Sequence, residues 1–377
     1  MKSRSLAALS VSVVFAISGI PAYAGEAEAD PFGKYEETLD VHFVRATDDT
    51  IETYALGNLP GQTLEDNFWL DTYRDELGIN VVYDWIVKGD DEYSQKINIT
   101  IATGELPDIM SVTATQMVQL AEADLIADIS DVYEAYAADF TKETLTQEGD
   151  DPFLAASIDG KMYGLPVTGG SVDSVDLMWI RQDWLDKFDL EIPQTMDELL
   201  TVIDKFTNED PDGDGENNTY GIGVAGSPNV FGGGYGGLKG FFNAYGAYPT
   251  IWVEKDGQLV YGATQPECKE ALATLADLYQ KGMIDPEFGV MDSGKAGEAG
   301  ASGKCGLTFG QQWLSLVQFQ TNYNLDNDAV WSACPIPTAG DEKASAQADL
   351  GTTRWLVVRK DFEHPEALIK MARSEER

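Results

Sequence analysis

The residue pattern best suited to chemistry in this chain is an acidic, glycine-containing loop that follows a predicted helix. Its sequence is DPDGDGENN, so Asp210, Asp212 and Asp214 occupy alternate positions. Three carboxylates at this spacing repel one another unless a cation lies between them, and a hard, oxygen-binding ion such as Ca²⁺ suits them. The glycines allow the tight turn that directs successive oxygens inward. We therefore predict a structural calcium site.

The predicted calcium ligands are three carboxylates, one backbone carbonyl and one amide or its bound water. They are Asp210, Asp212, Asp214, Glu216 through its carbonyl, and Asn218. The twelfth position of the loop is Gly221, where an EF-hand has a bidentate glutamate, so the loop is not a complete EF-hand and modest affinity is expected. The alternative is an acidic turn that binds no metal.

The elements that must position this loop alternate between strand and helix. Apolar spacing predicts strands over residues 39–46, 80–87 and 175–180, and helices over residues 62–77 and 91–103. This order indicates an α/β protein with a largely parallel sheet covered by helices.

Polar and aromatic residues at the ends of predicted strands are candidates for ligand binding. Trp179 and Arg181 end the third of these strands, and α/β proteins place ligands at such ends. Arg181 could donate a fork of hydrogen bonds to a ligand, although an ion pair with Asp183 or Asp186 is favoured. Asp48 and Asp49 follow the first strand and could accept hydrogen bonds from ligand hydroxyls. The alternative for both is a solvated turn.

Residues 1–24 have the pattern of a signal peptide. Lys2 and Arg4 precede an uncharged apolar run from Leu6 to Ile20, and Ala22-Tyr23-Ala24 supplies a small-x-small cleavage site. The run is shorter than the ~20 residues that a membrane-spanning helix needs. No cysteine lies at the cleavage site, so no lipid anchor is expected there. The pattern predicts an exported protein, periplasmic or extracellular.

The composition is strongly acidic, with a formal net charge of −39 at pH 7. Nucleic acid is excluded as a partner, because its phosphates would be repelled. Solubility outside the cell is the favoured explanation, and preference for a neutral or cationic ligand is the alternative. The three cysteines cannot all pair. A Cys305–Cys334 bond is possible, but three buried free thiols are favoured.

Five sequence segments, in this order, resemble the family 1 extracellular solute-binding proteins, the capture subunits of sugar-importing ABC transporters. They are GELPDI (104–109), DGKMYGLPV (159–167), WIRQDWLDKF (179–188), GKCGLTFGQQW (303–313) and HPEALIKMA (364–372). No single segment is decisive, but five in this order are quite specific, and the resemblance covers nearly the whole mature chain. The combination of WIRQDWLDK with DPDGDG resembles a subgroup that binds oligosaccharides or related polymers.

The resemblance implies a periplasmic-binding-protein-like fold, in which two α/β lobes close around a ligand cleft. It places lobe 1 at residues 25–165 plus 350–377 and lobe 2 at residues 166–349. The chain would cross between the lobes near residues 166–171 and 347–351. Family members usually continue well past the HPEA helix, so the resemblance implies a C-terminal truncation and an incomplete first lobe.

The resemblance also implies which aromatic residues stack on a sugar. Trp313, after the GQQ segment, is in the place where the family commonly has a stacking aromatic residue; the alternative is a core tryptophan. Tyr248, with Tyr245 close behind, is in a segment that resembles another aromatic contributor to the cleft. Trp355 begins the strand that returns beside the hinge.

These features predict a binding protein that captures an oligosaccharide and delivers it to ABC permease subunits, acts as a monomer and is not an enzyme. The alternatives are a secreted glycoside hydrolase or polysaccharide lyase, which would share the acids, aromatics and calcium, and a calcium-dependent adhesin. Only two histidines are present, and no GxSxG or HExxH motif occurs. A single calcium loop argues against an adhesin.

Overall fold

A computed structural model describes residues 29–147 and 149–372. The predicted signal peptide therefore lies outside the described residues. Within these two ranges, no helix is both long enough and apolar enough to cross a membrane.

The strands of the described chain are short apart from three. They are β1 (Leu39–Thr47), β2 (Ile79–Lys88), β3 (Ile109–Val112), β4 (Ser157–Ile158), β5 (Lys161–Met162), β6 (Leu165–Thr168), β7 (Leu177–Arg181), β8 (Trp252–Lys255), β9 (Gln258–Tyr261), β10 (Leu307–Gly310), β11 (Trp331–Cys334) and β12 (Thr352–Val358).

The helices range from single turns to four turns. They are α1 (Phe68–Thr72), α2 (Asp90–Thr103), α3 (Ala114–Glu122), α4 (Ser130–Tyr136), α5 (Asp139–Leu145), α6 (Asp151–Ala155), α7 (Gln182–Lys187), α8 (Met196–Asn208), α9 (Lys239–Asn243), α10 (Pro266–Gln280), α11 (Ser293–Ala301), α12 (Gln318–Leu325) and α13 (Glu366–Ala372).

The described residues form two compact units. The first contains the chain up to Met110, Asp124–Lys142 and the segment from Val358 onward; the second contains Ser111–Ala123 and Glu143–Val357. Both have mixed helix and strand content, which confirms the predicted α/β class. The predicted lobe boundaries at residues 165 and 350 stay a prediction.

The first unit is organised around parallel strands. β1 pairs with β2 along its whole length, and Phe43 of β1 pairs with Ile109 of β3, also in parallel. Helix α2 provides the crossover from β2 to β3, and Ile97 of this helix is buried together with Val41 and Ile79 of the strands. The βαβ order read from the sequence is therefore found here.

The second unit differs from the expected parallel arrangement. β7 lies between β10 and β11 and pairs with both in antiparallel fashion, and β12 pairs with β6 in the same sense. Alternation of strand and helix fixes the order of elements but not strand direction, since a long connection can return a strand from either end. The core contains the rings of Trp184, Phe206 and Phe309. A Cβ atom on Gly306 would lie 2.3 Å from Trp184, so only glycine fits there.

Two helix starts show how local residues set these boundaries. The Thr195 hydroxyl accepts a hydrogen bond from the Glu198 N–H, and the Glu198 side chain accepts one from the Thr195 N–H, forming a capping box at α8. The helix predicted over 62–77 instead begins at Phe68, because the Asn67 side chain caps it by accepting hydrogen bonds from the N–H groups of Trp69 and Leu70. It continues as a wide π-type turn over Tyr73–Leu77.

Candidate functional site

The acidic loop after α8 gathers three carboxylates. One oxygen from each of Asp210, Asp212 and Asp214 lies within 4.8 Å of the others. Asp210 has φ of 50°, and Gly213 and Gly215 have φ of 78° and 82°, so the loop depends on left-handed conformations that glycine adopts at little cost. The Gly213 N–H donates to the Asp210 carboxylate at 2.9 Å, which holds the turn closed.

The carboxylates of the loop repel one another, and one buried amide oxygen in the loop has no hydrogen-bond partner among the described residues. Loss of solvent contact, and then the neighbouring Asp214 charge, raise the pKa of Asp212. The Glu216 N–H and the Asn218 amide lower the pKa of Asp214. The Asn218 Oδ1 atom is buried and has no hydrogen-bond partner among the described residues. A carboxylate cluster with an orphaned amide oxygen fits a cation that takes oxygen ligands.

A basic residue lies against the same loop. Lys187 donates through Nζ to the carbonyl oxygens of Asp210, at 2.6 Å, and Pro211, at 3.2 Å. It therefore binds the main chain of the loop and leaves the three carboxylates available. Glu216 is exposed, and its N–H donates to Asp214 at 2.7 Å.

A cavity of about 260 Å³ lies elsewhere in the second unit, and sequence reasoning did not predict it. We call it the threonine pocket and define it by Thr144, Gln147, Thr168, Asp173, Gly351 and Thr352. The Oγ1 atoms of Thr144 and Thr352 are buried and have no hydrogen-bond partner among the described residues. Buried hydroxyls are normally hydrogen-bonded, so two orphans beside one cavity indicate a place for a polar ligand.

The predicted site residue Trp355 lies behind the wall of the threonine pocket. Trp355 is 3 % exposed, and its indole N–H donates to the carbonyl of Pro152, which lines the cavity. A Cβ atom on Gly164 would lie 2.8 Å from the Trp355 Cβ and 2.9 Å from the Met117 sulfur. Trp355 is thus packed behind the pocket and positions its wall.

Trp313 lies beside the glycine-rich segment of residues 231–240. It is 38 % exposed, and a Cβ atom on Gly234 would lie 3.4 Å from its ring. The Gly234 N–H donates to Gln311 Oε1 at 2.6 Å, and Gln311 is buried. Gln311 therefore fastens the glycine segment next to a tryptophan whose ring is partly open, an arrangement compatible with sugar stacking.

The two tyrosines of the YGAY segment are both half-buried. The Tyr245 hydroxyl donates to Thr274 Oγ1 at 2.8 Å, and its ring packs 5.7 Å from that of Phe241 in the core. The carbonyl of Tyr248 is packed closely against Gly262. A stacking role for Tyr248 or Tyr245 stays a prediction.

Trp179 and Arg181 are both buried. Trp179 is 6 % exposed, with its ring 4.9 Å from that of Phe319. Arg181 is 3 % exposed and makes a bidentate contact with Asp183, at 2.8 and 2.6 Å, plus a longer one with Asp326 at 3.4 Å. The guanidinium also lies 4.7 Å from the centre of the Trp184 ring. The favoured ion pair is therefore present.

Asp48 and Asp49 follow β1 in the first unit and are exposed. Asp48 Oδ1 accepts from the Ile51 N–H at 2.8 Å, which closes the turn after the strand. Asp49 pairs with Lys88 at 2.6 Å. Both side chains have these local partners, and sugar binding by either stays a prediction.

The sequence profile described as bacterial extracellular solute-binding protein matches residues 60–376. This chain belongs to that family. The solute-binding protein is 28 % identical over 261 residues to lipoprotein LipO of Bacillus subtilis, a match covering 69 % of this chain and 49 % of LipO.

Two further relatives of this solute-binding protein have names that mention sugars. One is the fructooligosaccharide ABC transporter substrate-binding protein FusA of Streptococcus pneumoniae, 29 % identical over 231 residues, covering 58 % of this chain and 41 % of FusA. The other is the polygalacturonan/rhamnogalacturonan-binding protein YtcQ of Bacillus subtilis, 27 % identical over 222 residues, covering 57 % and 41 %. The matches span about half or less of each relative's length.

Solved structures establish the fold of this solute-binding protein. FusA of S. pneumoniae in complex with kestose superposes with a TM-score of 0.68 at 23 % identity, covering 88 % of this chain and 66 % of FusA. An EF-hand mutant of FusA in complex with fructo-nystose gives 0.67 at 21 %, with the same coverage. The periplasmic-binding-protein-like fold is therefore confirmed.

Proposed function

We propose that this protein captures an oligosaccharide outside the cytoplasm and delivers it to the permease subunits of an ABC importer. Family membership, together with the names of FusA and YtcQ, supports this proposal. Delivery would require no covalent change in the ligand: the protein binds through hydrogen bonds and aromatic contacts and then releases it. The predicted lobe division, closure and monomeric state stay predictions.

The observation that carries the proposal is the threonine pocket. Its volume of about 260 Å³ lies just below the roughly 300–1,000 Å³ of drug-sized ligand sites, so it suits a unit of sugar size. Its wall combines hydroxyl, amide and carboxylate groups, which can both donate to and accept from sugar hydroxyls. A sugar hydroxyl would give Thr144 or Thr352 the missing partner after rotation about χ1.

The same wall favours a receptor over a glycoside hydrolase. Hydrolysis of a glycosidic bond ordinarily uses two carboxylates, one on each side of the scissile bond. Asp173 is the one carboxylate among the described residues that line the threonine pocket. A single carboxylate can accept sugar hydroxyls but cannot serve as both acid and base or nucleophile in that way.

We also propose that the acidic loop binds Ca²⁺ through Asp210, Asp212, Asp214, the Glu216 carbonyl and Asn218. The close carboxylates, the raised pKa of Asp212 and the orphaned Asn218 oxygen support this assignment. The existence of an EF-hand mutant of FusA points in the same direction. When bound, the ion would neutralise the carboxylates and stabilise the loop.

Isothermal titration calorimetry and chromatography of the same mixtures test the proposed function. The ligands are kestose, maltotriose, cellotriose and methyl-esterified trigalacturonate. We expect at least one to bind and to be recovered intact. Binding should weaken in Thr352→Val and persist in Thr201→Val, a control on the outer side of α8. Release of shorter sugars would favour the hydrolase, and no binding by any ligand would refute the capture role.

A further inference from the structure

We propose that the threonine pocket selects uncharged sugar units over uronates, and that Asp173 is the residue that determines this selectivity. This inference rests on the proposed function, because it concerns the ligand of the same pocket. The two relatives differ in the charge of the ligand that their names mention. The name of FusA mentions fructooligosaccharides, which are neutral, and that of YtcQ mentions polygalacturonan, which carries carboxylates.

The first step concerns the charge of the pocket wall. Asp173 lines the cavity and is exposed, and no hydrogen bond or ion pair from any described residue reaches its carboxylate. Its Oδ2 lies 3.1 Å from the position that a Cβ atom on Gly170 would take, so the carboxylate lies close against the backbone of the pocket rim. None of the described lining residues is Lys, Arg or His. The wall therefore carries one negative charge without a counter-charge.

The second step concerns cations on neighbouring elements. Lys239 is paired with Asp349, and its side chain is largely buried in that contact. Arg181 is held by Asp183 and Asp326. Arg354 lies two residues beyond Thr352 in β12 and does not line the cavity. A uronate in the pocket would thus meet Asp173 with no cation of the wall beside it.

The third step concerns the attraction of Asp173 to a neutral sugar. An ionised carboxylate accepts several hydrogen bonds, so Asp173 can bind two neighbouring hydroxyls of a neutral sugar. Replacing a C6 hydroxymethyl group of such a sugar by a carboxylate removes a hydroxyl donor and adds a charge of the same sign as that of Asp173. One side chain thereby supplies both the attraction to the neutral ligand and the repulsion of the acidic one.

The experiment compares each neutral sugar with its C6-carboxylate form on the same scaffold. The pairs are kestose, maltotriose, cellotriose and methyl-esterified trigalacturonate, each against the corresponding acid, titrated calorimetrically at pH 7 and low salt. For every scaffold that binds, we expect the neutral form to bind at least about tenfold more tightly. The ratio should fall towards one in Asp173→Asn and in Asp173→Ser, and should also fall as salt is raised.

The control variant is Asp256→Asn, which removes an exposed carboxylate from the β8–β9 turn, outside the pocket. It should keep the wild-type ratio. An acid form that binds as tightly as its neutral partner, or a ratio unchanged in both Asp173 variants, overturns the inference and leaves the proposed function standing. If no sugar binds in either its neutral or its acid form, the proposed function is overturned, and this inference with it.

Discussion

The substitution Thr352→Val should make the free protein more stable and the sugar complex weaker. Thr352 is 2 % exposed, and its hydroxyl has no partner among the described residues. A buried, unsatisfied hydroxyl costs about 1–3 kcal/mol, and valine replaces that hydroxyl by a methyl group in a side chain of the same shape. We expect a gain of about 1 kcal/mol in the free energy of unfolding, or a rise of a few degrees in Tm.

The effect on binding has the opposite sign. If a sugar hydroxyl pairs with Thr352, the variant loses one neutral hydrogen bond, worth about 0.5–1.5 kcal/mol. This corresponds to roughly two- to tenfold weaker binding. Thermal unfolding without ligand and calorimetric titration with the best-binding sugar measure the two effects on the same preparation.

Thr308→Val is the matched control for this prediction. Thr308 is also fully buried, but its Oγ1 accepts from the Gly236 N–H at 3.0 Å and donates to the Phe309 carbonyl at 3.2 Å. Valine at this position would leave the buried Gly236 N–H without its acceptor and destabilise the protein by about 1–3 kcal/mol. If Thr352→Val were as destabilising as Thr308→Val, or left sugar affinity unchanged, the reasoning about the orphaned hydroxyl would be refuted.

Three other outcomes are expected. Chelator should lower Tm and added Ca²⁺ should restore it, because Ca²⁺ at a hundredfold excess over Kd adds about 2.7 kcal/mol to the free energy of unfolding. Asp212→Asn should abolish the response, and an unresponsive wild type would remove the calcium proposal. Trp313→Ala should weaken sugar binding roughly two- to tenfold if its ring stacks, whereas Trp252→Ala, which removes an exposed tryptophan of β8, should not. Burial raises the pKa of Asp176 to about 6; because the unfolded chain releases this proton near pH 4, the free energy of unfolding should fall by up to about 3 kcal/mol between pH 4 and 6. Urea titrations should find this fall absent in Asp176→Asn, and an identical pH profile would contradict the assignment.

Local sequence patterns predicted local structure well. The Thr195–Glu198 capping box and the carboxylates of the acidic loop depend on residues within a few positions of one another, so spacing alone reports them. The start of α1 was misplaced, because apolar periodicity does not reveal that the Asn67 side chain caps the helix. The apolar pattern also could not predict strand direction in the second unit, because direction depends on pairings between distant segments such as β7 and β10.

The threonine pocket was missed for a related reason. Thr144, Asp173 and Thr352 are ordinary polar residues separated by about 30 and 180 positions, and only the fold brings them to one cavity. Composition also cannot tell an open tryptophan from a packed one. Trp313 follows the GQQ segment and Trp355 begins a strand beside the predicted hinge, yet the Trp313 ring is partly exposed and the Trp355 ring is buried.

The cysteines of this protein have a practical consequence. Cys268, Cys305 and Cys334 are all free and buried, and burial raises the pKa of each, that of Cys305 to about 12. Their thiols therefore stay protonated and shielded at neutral pH, whereas it is the thiolate that attacks thiol-directed reagents. A cysteine introduced at a surface position should react far faster than the native three. Maleimide dyes could then be attached at chosen points in the wild-type background, for single-molecule measurements of ligand capture.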